Sequence, residues 1–220
     1  VRYAKTCWIE FTAEGVPVHS AVESSAIRSC RRFSYEEVDV FLADPLTRSV
    51  EMTPAVRALL GQMRDLARIL RSRRMTRGAL QLEMPEVKID LDRDGRVSGA
   101  HVVENTESHQ IIEEFMLSAN EAVAGALAAA GAGFLRRIHP SPDMRKLRQL
   151  TEFVTELGFE VDSLESRFEV QRLLAMARGR PEEHAVHYAV LRSLSRAAYG
   201  PQEDGHFALA SDCYCHFTSP

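Results

Sequence analysis

Between residues 53 and 74, Val56, Leu59, Leu60, Met63, Leu66, Ala67 and Leu70 recur at three- and four-residue spacing. That spacing keeps one face of a helix apolar over about five turns. A strand cannot present such a stripe, because its side chains alternate with a period of two. The segment is therefore expected to fold as a long helix that other elements cover. Its opposite side and its end carry Arg64, Arg68, Arg71, Arg73, Arg74 and Arg77. Such a density of guanidinium groups fits either a solvated helix face or a local track for a polyanion.

The flanking segments differ in period. From Tyr3 to Ala13 apolar and polar residues roughly alternate, Glu14-Gly15 supplies a turn, and Val16 to Ile27 returns with extended character, which predicts two paired strands. Ser34 followed by Glu37 is a capping-box signature for a short helix ending near Ala43. Past the arginines, 79–84 and 87–91 read as strands, Arg93-Asp94-Gly95 as a hairpin turn and 96–103 as the returning strand. Helices are predicted over 107–131, 142–157, 165–177 and 182–198. Gly131 and Gly133 close the first, and Pro140-Ser141-Pro142 breaks the chain before the second. The fold class is α+β, with both β regions expected in one core sheet and the later helices packed around it.

With 220 residues, 45% of them hydrophobic, the chain can build one sizeable core or two small ones. No apolar run approaches the roughly 20 residues that a membrane-spanning helix needs. Arg2, Lys5, Glu10 and Glu14 interrupt the stretch where a signal peptide would be apolar, so a cytoplasmic protein with no membrane attachment is expected. Cys7, Cys30, Cys213 and Cys215 lack the spacing of a secreted disulfide framework and read as reduced thiols. The formal net charge of −4 excludes a chain that is basic throughout but leaves room for a local basic track. Val1 is not a methionine, and Pro220 follows a compact His-Phe-Thr-Ser-Pro run, so an internal piece of a longer protein is expected.

Several chemical motifs are imitated without being completed. Asp90, Asp92, Asp94 and Gly95 match the opening of a calcium loop, but position twelve is His101 where a bidentate glutamate is required, so a hairpin turn is the better reading. His184, His187, His206, Cys213, Cys215 and His216 offer zinc-ligand chemistry at spacings that match no finger or ribbon, and His184 and His187 read as surface residues. Neither a Gly-x-Ser-x-Gly elbow nor a phosphate-binding glycine loop is present. More telling is the 107–131 helix, where Glu113 and Glu114 lie among Ile112, Phe115, Met116 and Ala119. At least one of these carboxylates is expected at the margin of the core, with Glu113, Leu117 and Asn120 sharing a face.

The order of short segments along the chain carries a resemblance. Ser25-Ala26-Ile27-Arg28-Ser29 is followed by Phe33-Ser34-Tyr35-Glu36-Glu37-Val38, Arg77-Gly78-Ala79-Leu80 and Glu113-Glu114-Phe115-Met116-Leu117-Ser118-Ala119-Asn120. Then come Arg136-Arg137-Ile138-His139, Leu191-Arg192-Ser193-Leu194 with Ala197-Ala198-Tyr199, Gly205-His206-Phe207-Ala208-Leu209 and His216-Phe217-Thr218-Ser219-Pro220. Over essentially its whole length the chain resembles the catalytic, or RNB, domain shared by ribonuclease II, ribonuclease R and the exosome's hydrolytic exonuclease.

The resemblance implies a barrel-like antiparallel sheet wrapped by helices, within a monomeric 3′-to-5′ exoribonuclease that threads single-stranded RNA and releases nucleoside monophosphates with Mg2+. It implies that Tyr35 lies beside the terminal nucleotides and that Glu113 or Glu114, the latter preferred, contacts a ribose near the 3′ end. Asn120 belongs to the same segment. His216, Phe217, Thr218, Ser219 and Pro220 match the run that positions arginines at the scissile phosphate, and Arg71, Arg74 and Arg77 are expected along the RNA path by charge. The family's metal-binding aspartates and that arginine pair fall outside these 220 residues, so no complete catalytic set and no metal ligand is expected within them, and the chain alone is expected to be inactive. Ile89 stands in the strand where some members place a base-stacking aromatic. The alternatives are a non-catalytic RNA-binding or scaffold protein with the same domain, and a helical interaction module whose likeness is incidental.

Overall fold

The N-terminal alternation folds into a long hairpin, in which β1 (Arg2–Phe11) runs antiparallel to β2 (Pro17–Ile27) from Arg2 opposite Ile27 to Phe11 opposite Pro17. The computed structural model describes residues 1–47, 50–82 and 86–218. Gly15 closes the turn at φ +75°, a conformation that L side chains rarely adopt. It also lies against α2 (Pro54–Thr76), where an added Cβ would come 2.6 Å from Ile69 Cγ2.

The helices begin where local chemistry says they should. Ser34 caps α1 (Tyr35–Ala43) with the reciprocal bonds of a capping box: Glu37 N–H to Ser34 Oγ at 3.3 Å and Ser34 N–H to the Glu37 carboxylate at 2.8 Å. Thr53 accepts from Val56 N–H at the start of α2, with Pro54 in the first turn, where its missing N–H costs nothing. The apolar stripe of α2 then does what its period requires. Phe41, Leu42, Ala67 and Ile111 form a buried cluster, with Leu60, Met63 and Phe115 packed against it. Ile111 and Phe115 come from α3 (Glu107–Ala129), whose N-terminal Ser108 N–H is capped from α1 by Asp39 Oδ1 at 3.1 Å. That tertiary cap places a carboxylate at the positive end of α3.

Two short strands, β5 (Arg136–Ile138) and β6 (Ala198–Gly200), pair antiparallel and bring Arg137 opposite Tyr199. On its other side β5 meets the last described segment, with Arg137 N–H donating to the Tyr214 carbonyl at 2.8 Å. These elements belong to one compact unit made of 1–79, 106–140 and 196–220. The second unit, 80–105 with 141–195, holds the hairpin β3 (Glu86–Leu91) and β4 (Val97–Val103) together with α4 (Met144–Glu156), α5 (Arg167–Ala177) and α6 (Glu183–Ser193). Here α6 packs against α4 and α5, and Val154, Leu173, Val186 and Val190 are fully buried.

The α+β class and its antiparallel pairing stand, but the expectation of one barrel-like core sheet does not. Among the described residues the strands form three separate two-stranded sheets, β1–β2, β3–β4 and β5–β6, with no closed barrel. The strand expected over 79–84 is not formed at 79–82, because Arg77 and Gly78 end α2 and Ala79 N–H returns to the Arg74 carbonyl; residues 83 and 84 lie outside the described residues. The helix expected to reach 198 ends at Ser193, freeing Ala198–Gly200 to pair with β5. His187 is buried, not at the surface.

Two hairpin glycines make a direct comparison. Gly95 has φ +77° with nothing within 4 Å of an added Cβ, whereas Gly15 is packed as well as left-handed. Gly95→Ala is expected to cost about 1 kcal/mol from backbone strain alone, and Gly15→Ala roughly 2–4 kcal/mol. Urea midpoints of the two variants measure the difference, and equal midpoints would contradict the packing of Gly15 on α2.

Candidate functional site

Helix α3 is about 34 Å long at 1.5 Å per residue, and most of the expected site residues are arrayed along it. At its N-terminal end the half-exposed Tyr35 ring stacks on His109, with centroids 3.7 Å apart and planes 18° from parallel. His109 Nδ1 is held in turn 2.8 Å from Thr106 Oγ1.

A little over one turn further on, α2 and α3 exchange charge. Glu114 is only 2% exposed, and Arg74 approaches it through Nε at 3.1 and 3.2 Å and through Nη2 at 2.5 Å. Arg74 Nη2 also reaches Glu113 at 3.2 Å, and Arg71 lies 3.6 Å from Glu114 and 3.8 Å from Glu113. Burial of Arg74 works against its charge, but its hydrogen bonds to Glu114 and the charges of Glu114, Glu113 and Glu121 outweigh it and raise the guanidinium pKa. The pattern continues outward: Arg77 pairs with Glu121 at 2.7 Å and Arg68 with Glu107 at 2.6 Å. Beside these pairs a cleft of about 700 Å³ opens between β1–β2, α2 and α3, lined in part by Phe11, His19, Arg73, Arg77, Leu117 and Ser118.

Asn120, on the next turns of α3, is fully buried. Its Oδ1 accepts from Phe217 N–H and Thr218 N–H, each at 2.9 Å, and from Thr218 Oγ1 at 3.2 Å. Its Nδ2 donates to the Tyr214 hydroxyl at 2.9 Å. One amide thereby ties the closing run to the helix, while Cys7, Cys213, Cys215 and Phe217 pack around Val123 and Ala124.

A column of rings rises beside that tether. His139 meets His206 edge-on at 4.9 Å, His206 meets Tyr214 at 5.5 Å, and Tyr214 meets His216 at 5.7 Å. His206 opens the turn Phe207–Leu209 by accepting from Leu209 N–H at Nδ1, and Ala210 completes it at φ +52°. Burial first, then the neighbouring His139 and Arg137, push His206 down to about 4. Burial and Arg137 lower His216 as well.

These placements sort the expected residues. Tyr35, Glu113, Arg77, His216 and Thr218 retain exposed surface, whereas Glu114, Arg74 and Asn120 are buried and occupied by protein partners. The basic face at Arg71, Arg74 and Arg77 is matched by acids of α3 instead of standing free, because the two helices meet along it. The inward face of α3 is Ile111, Glu114, Leu117 and Asn120, and Ile112 is 48% exposed, one residue off the expectation. Ser219 lies outside the described residues. Arg137, Tyr199 and His206 lie in segments that carry the resemblance but, with Tyr214, were not among the expected RNA contacts, since their meeting depends on β5, β6 and the closing segment coming together.

Comparison with known proteins places this geometry. The RNB domain family model matches residues 1–220, and the chain belongs to that family. It is 36% identical over 222 residues to ribonuclease R of Thermotoga maritima, covering 100% of this chain and 31% of that protein. It superposes on Mycoplasma genitalium RNase R, solved in complex with ribose methylated single-stranded RNA, with a TM-score of 0.88 at 28% identity over 100% of this chain and 34% of the other. The same enzyme in complex with double-stranded RNA gives 0.89 at 27% identity, again over all of this chain and 39% of the other. The chain spans about three tenths of the length of the curated relatives it matches. An incidental likeness is thereby excluded.

Two stability predictions follow from the site. Breaking the buried pair by Arg74→Met or Glu114→Leu is expected to cost about 3–5 kcal/mol each, while the double variant costs well under the sum, because neither buried charge is then left unpaired. Urea unfolding of the three variants checks this, and simple additivity would count against the pair. For His206, the unfolded imidazole takes its proton near pH 6.5 and the folded one only near pH 4, so stability falls as pH drops through that window and levels off below it. With allowance for solvent around this partly buried ring, the loss is on the order of 1–2 kcal/mol, read as the difference between the parent chain and His206→Gln from pH 7 to 4.

Proposed function

We propose that this chain is an internal stretch, 1–220, of the catalytic domain of a cytoplasmic, monomeric 3′-to-5′ exoribonuclease that acts processively on single-stranded RNA and releases nucleoside monophosphates. The observation that carries the reading is the match of the RNB family over the whole chain, with a solved RNA-bound relative superposing throughout. In this reading Tyr35 stacks beside the terminal bases, with His109 bracing its other face. Glu113 is the carboxylate with surface to offer a ribose 2′-hydroxyl, the group that separates RNA from DNA. Glu114 and Arg74 hold that stretch of α3 from beneath, Arg71 and Arg77 shape the wall, and Asn120 fixes the closing run at Phe217 and Thr218, next to His216, where the run positions groups for the scissile phosphate; Ser219, expected to share that role, lies outside the described residues.

Mg2+ supplies the hydrolytic chemistry in such enzymes by activating water and stabilising the leaving oxygen. The residues present do not fit it: among the described residues no group of three or more His, Cys, Asp or Glu side chains is arranged to hold a metal ion. The ligands are assigned to other parts of the complete enzyme, and this chain contributes binding, orientation and the wall of the channel.

The test uses the complete enzyme and a 5′-labelled single-stranded oligoribonucleotide with Mg2+. The expected result is stepwise shortening from the 3′ end with mononucleotide release, and a roughly tenfold loss of kcat/KM on Tyr35→Ala, the worth of about one stacked base. Binding without shortening would overturn the exonuclease reading in favour of an RNA-binding scaffold. Turnover by the 220-residue chain alone would overturn the assignment of metal ligands elsewhere.

A further inference from the structure

The outward end of the ring column is built differently from the rest of the site. The Tyr199 hydroxyl lies 2.5 Å from His216 Nδ1, with the rings 5.4 Å apart and nearly perpendicular, and Tyr214 meets His216 at 87°. The Arg137 guanidinium sits 4.7 Å from the Tyr199 ring centre, brought there by the register of β5 and β6. Tyr199 is 54% exposed, and Arg137 and His216 are partly exposed.

Charge compensation separates Arg137 from Arg71, Arg74 and Arg77 and from its neighbour Arg136. Arg71, Arg74 and Arg77 meet glutamates of α3, and Arg136 meets Glu203 at 3.2 Å. Arg137 pairs with no carboxylate among the described residues, and its Nη1 donates only weakly to the Ala197 carbonyl at 3.4 Å. A guanidinium over an aromatic face keeps its charge and its unused N–H donors. Beside it, burial and the nearby guanidinium keep His216 neutral at ordinary pH. A neutral imidazole has one N–H, and a phenol hydroxyl donating to Nδ1 leaves that proton on Nε2.

We propose that Arg137, Tyr199 and His216 form one contact site for an RNA phosphodiester, in which Tyr199 is a positioning residue that fixes the Nε2–H donor of His216. The site combines a cation without a counter-ion, a neutral donor of set tautomer and an exposed ring edge, which is what an anionic, acceptor-rich backbone requires. This rests on the exoribonuclease reading for the identity of the anion, but the Tyr199–His216 bond does not.

Two measurements separate those parts. Nitrogen-15 NMR of the imidazoles in the complete enzyme is expected to show His216 Nδ1 unprotonated, and Tyr199→Phe is expected to convert His216 to a mixture of both tautomers. A proton on Nδ1 in the unmodified enzyme, or no change in Tyr199→Phe, would falsify the positioning role. Oligoadenylate binding to the complete enzyme, with divalent metal chelated, gives the second readout. Arg137→Gln is expected to weaken binding about tenfold and to lower the salt slope by about one, with Arg137→Lys restoring the slope. His216→Gln is expected to weaken binding about fivefold with the slope unchanged. Unchanged affinity in both glutamine variants would overturn the phosphate contact. If the unmodified complete enzyme binds no RNA, the exoribonuclease reading and the contact fail together, while the tautomer still judges Tyr199.

Discussion

Burying Glu114 between two helices sets the terms for much of the first unit. A carboxylate at 2% exposure cannot keep its charge without a cation in hydrogen-bonding contact, and Arg74 meets it through two nitrogens. Because Arg74 comes from α2 and Glu114 from α3, satisfying the pair fixes how far each helix slides along the other. The neighbouring pairs, Arg68 with Glu107 and Arg77 with Glu121, then fall into place along the same seam. Apolar packing of Ala67 and Ile111 brings the helices together, but it tolerates sliding in a way that a bidentate ion pair does not.

That seam also forms one wall of a cleft. The cleft beside it is walled by the aliphatic parts of α2 and α3 and by the β1–β2 hairpin, with the guanidinium groups of Arg74 and Arg77 already committed to protein carboxylates. Asn120 works in the same way lower down: its amide spends one donor and one acceptor oxygen on Tyr214, Phe217 and Thr218. No buried side-chain nitrogen or oxygen among the described residues is left without a partner, so the polar groups inside this unit are structural commitments that hold the exposed ones in position.

How much of this could be read beforehand depended on whether the cause was local. The α2 stripe, the Ser34–Glu37 capping box and the left-handed glycines at 15 and 95 are set by neighbours in sequence, and each appears where expected. Strands β5 and β6 are three residues each, too short for alternation to show, and they exist only because Arg136–Ile138 and Ala198–Gly200 meet across about sixty intervening residues. The doublets Ile111-Ile112 and Glu113-Glu114 left the buried face of α3 ambiguous by one residue, about 100° of rotation, and it is resolved by tertiary partners: Arg74 at Glu114 and the Phe41, Leu42 and Ala67 cluster at Ile111. The arginine run was legible as charge, but its cancellation by acids some forty residues away was not.

Cancellation changes what an arginine count means for RNA binding. Electrostatic affinity for a nucleic acid scales with the phosphates a protein neutralises, each releasing counterions and adding to the salt dependence. A guanidinium already facing a carboxylate releases little, because its field is quenched before the ligand arrives, and the pair must be broken or shared to do more. The arginines of the basic face that meet glutamates of α3 are therefore a poor electrostatic platform in this fold, and their value lies in rigidity. Arg137, placed by a minimal strand pair over a tyrosine ring, keeps its full charge at the edge of the closing run. In a chain of net charge −4, the position of a cation and its freedom from counter-ions count for more than the number of cations.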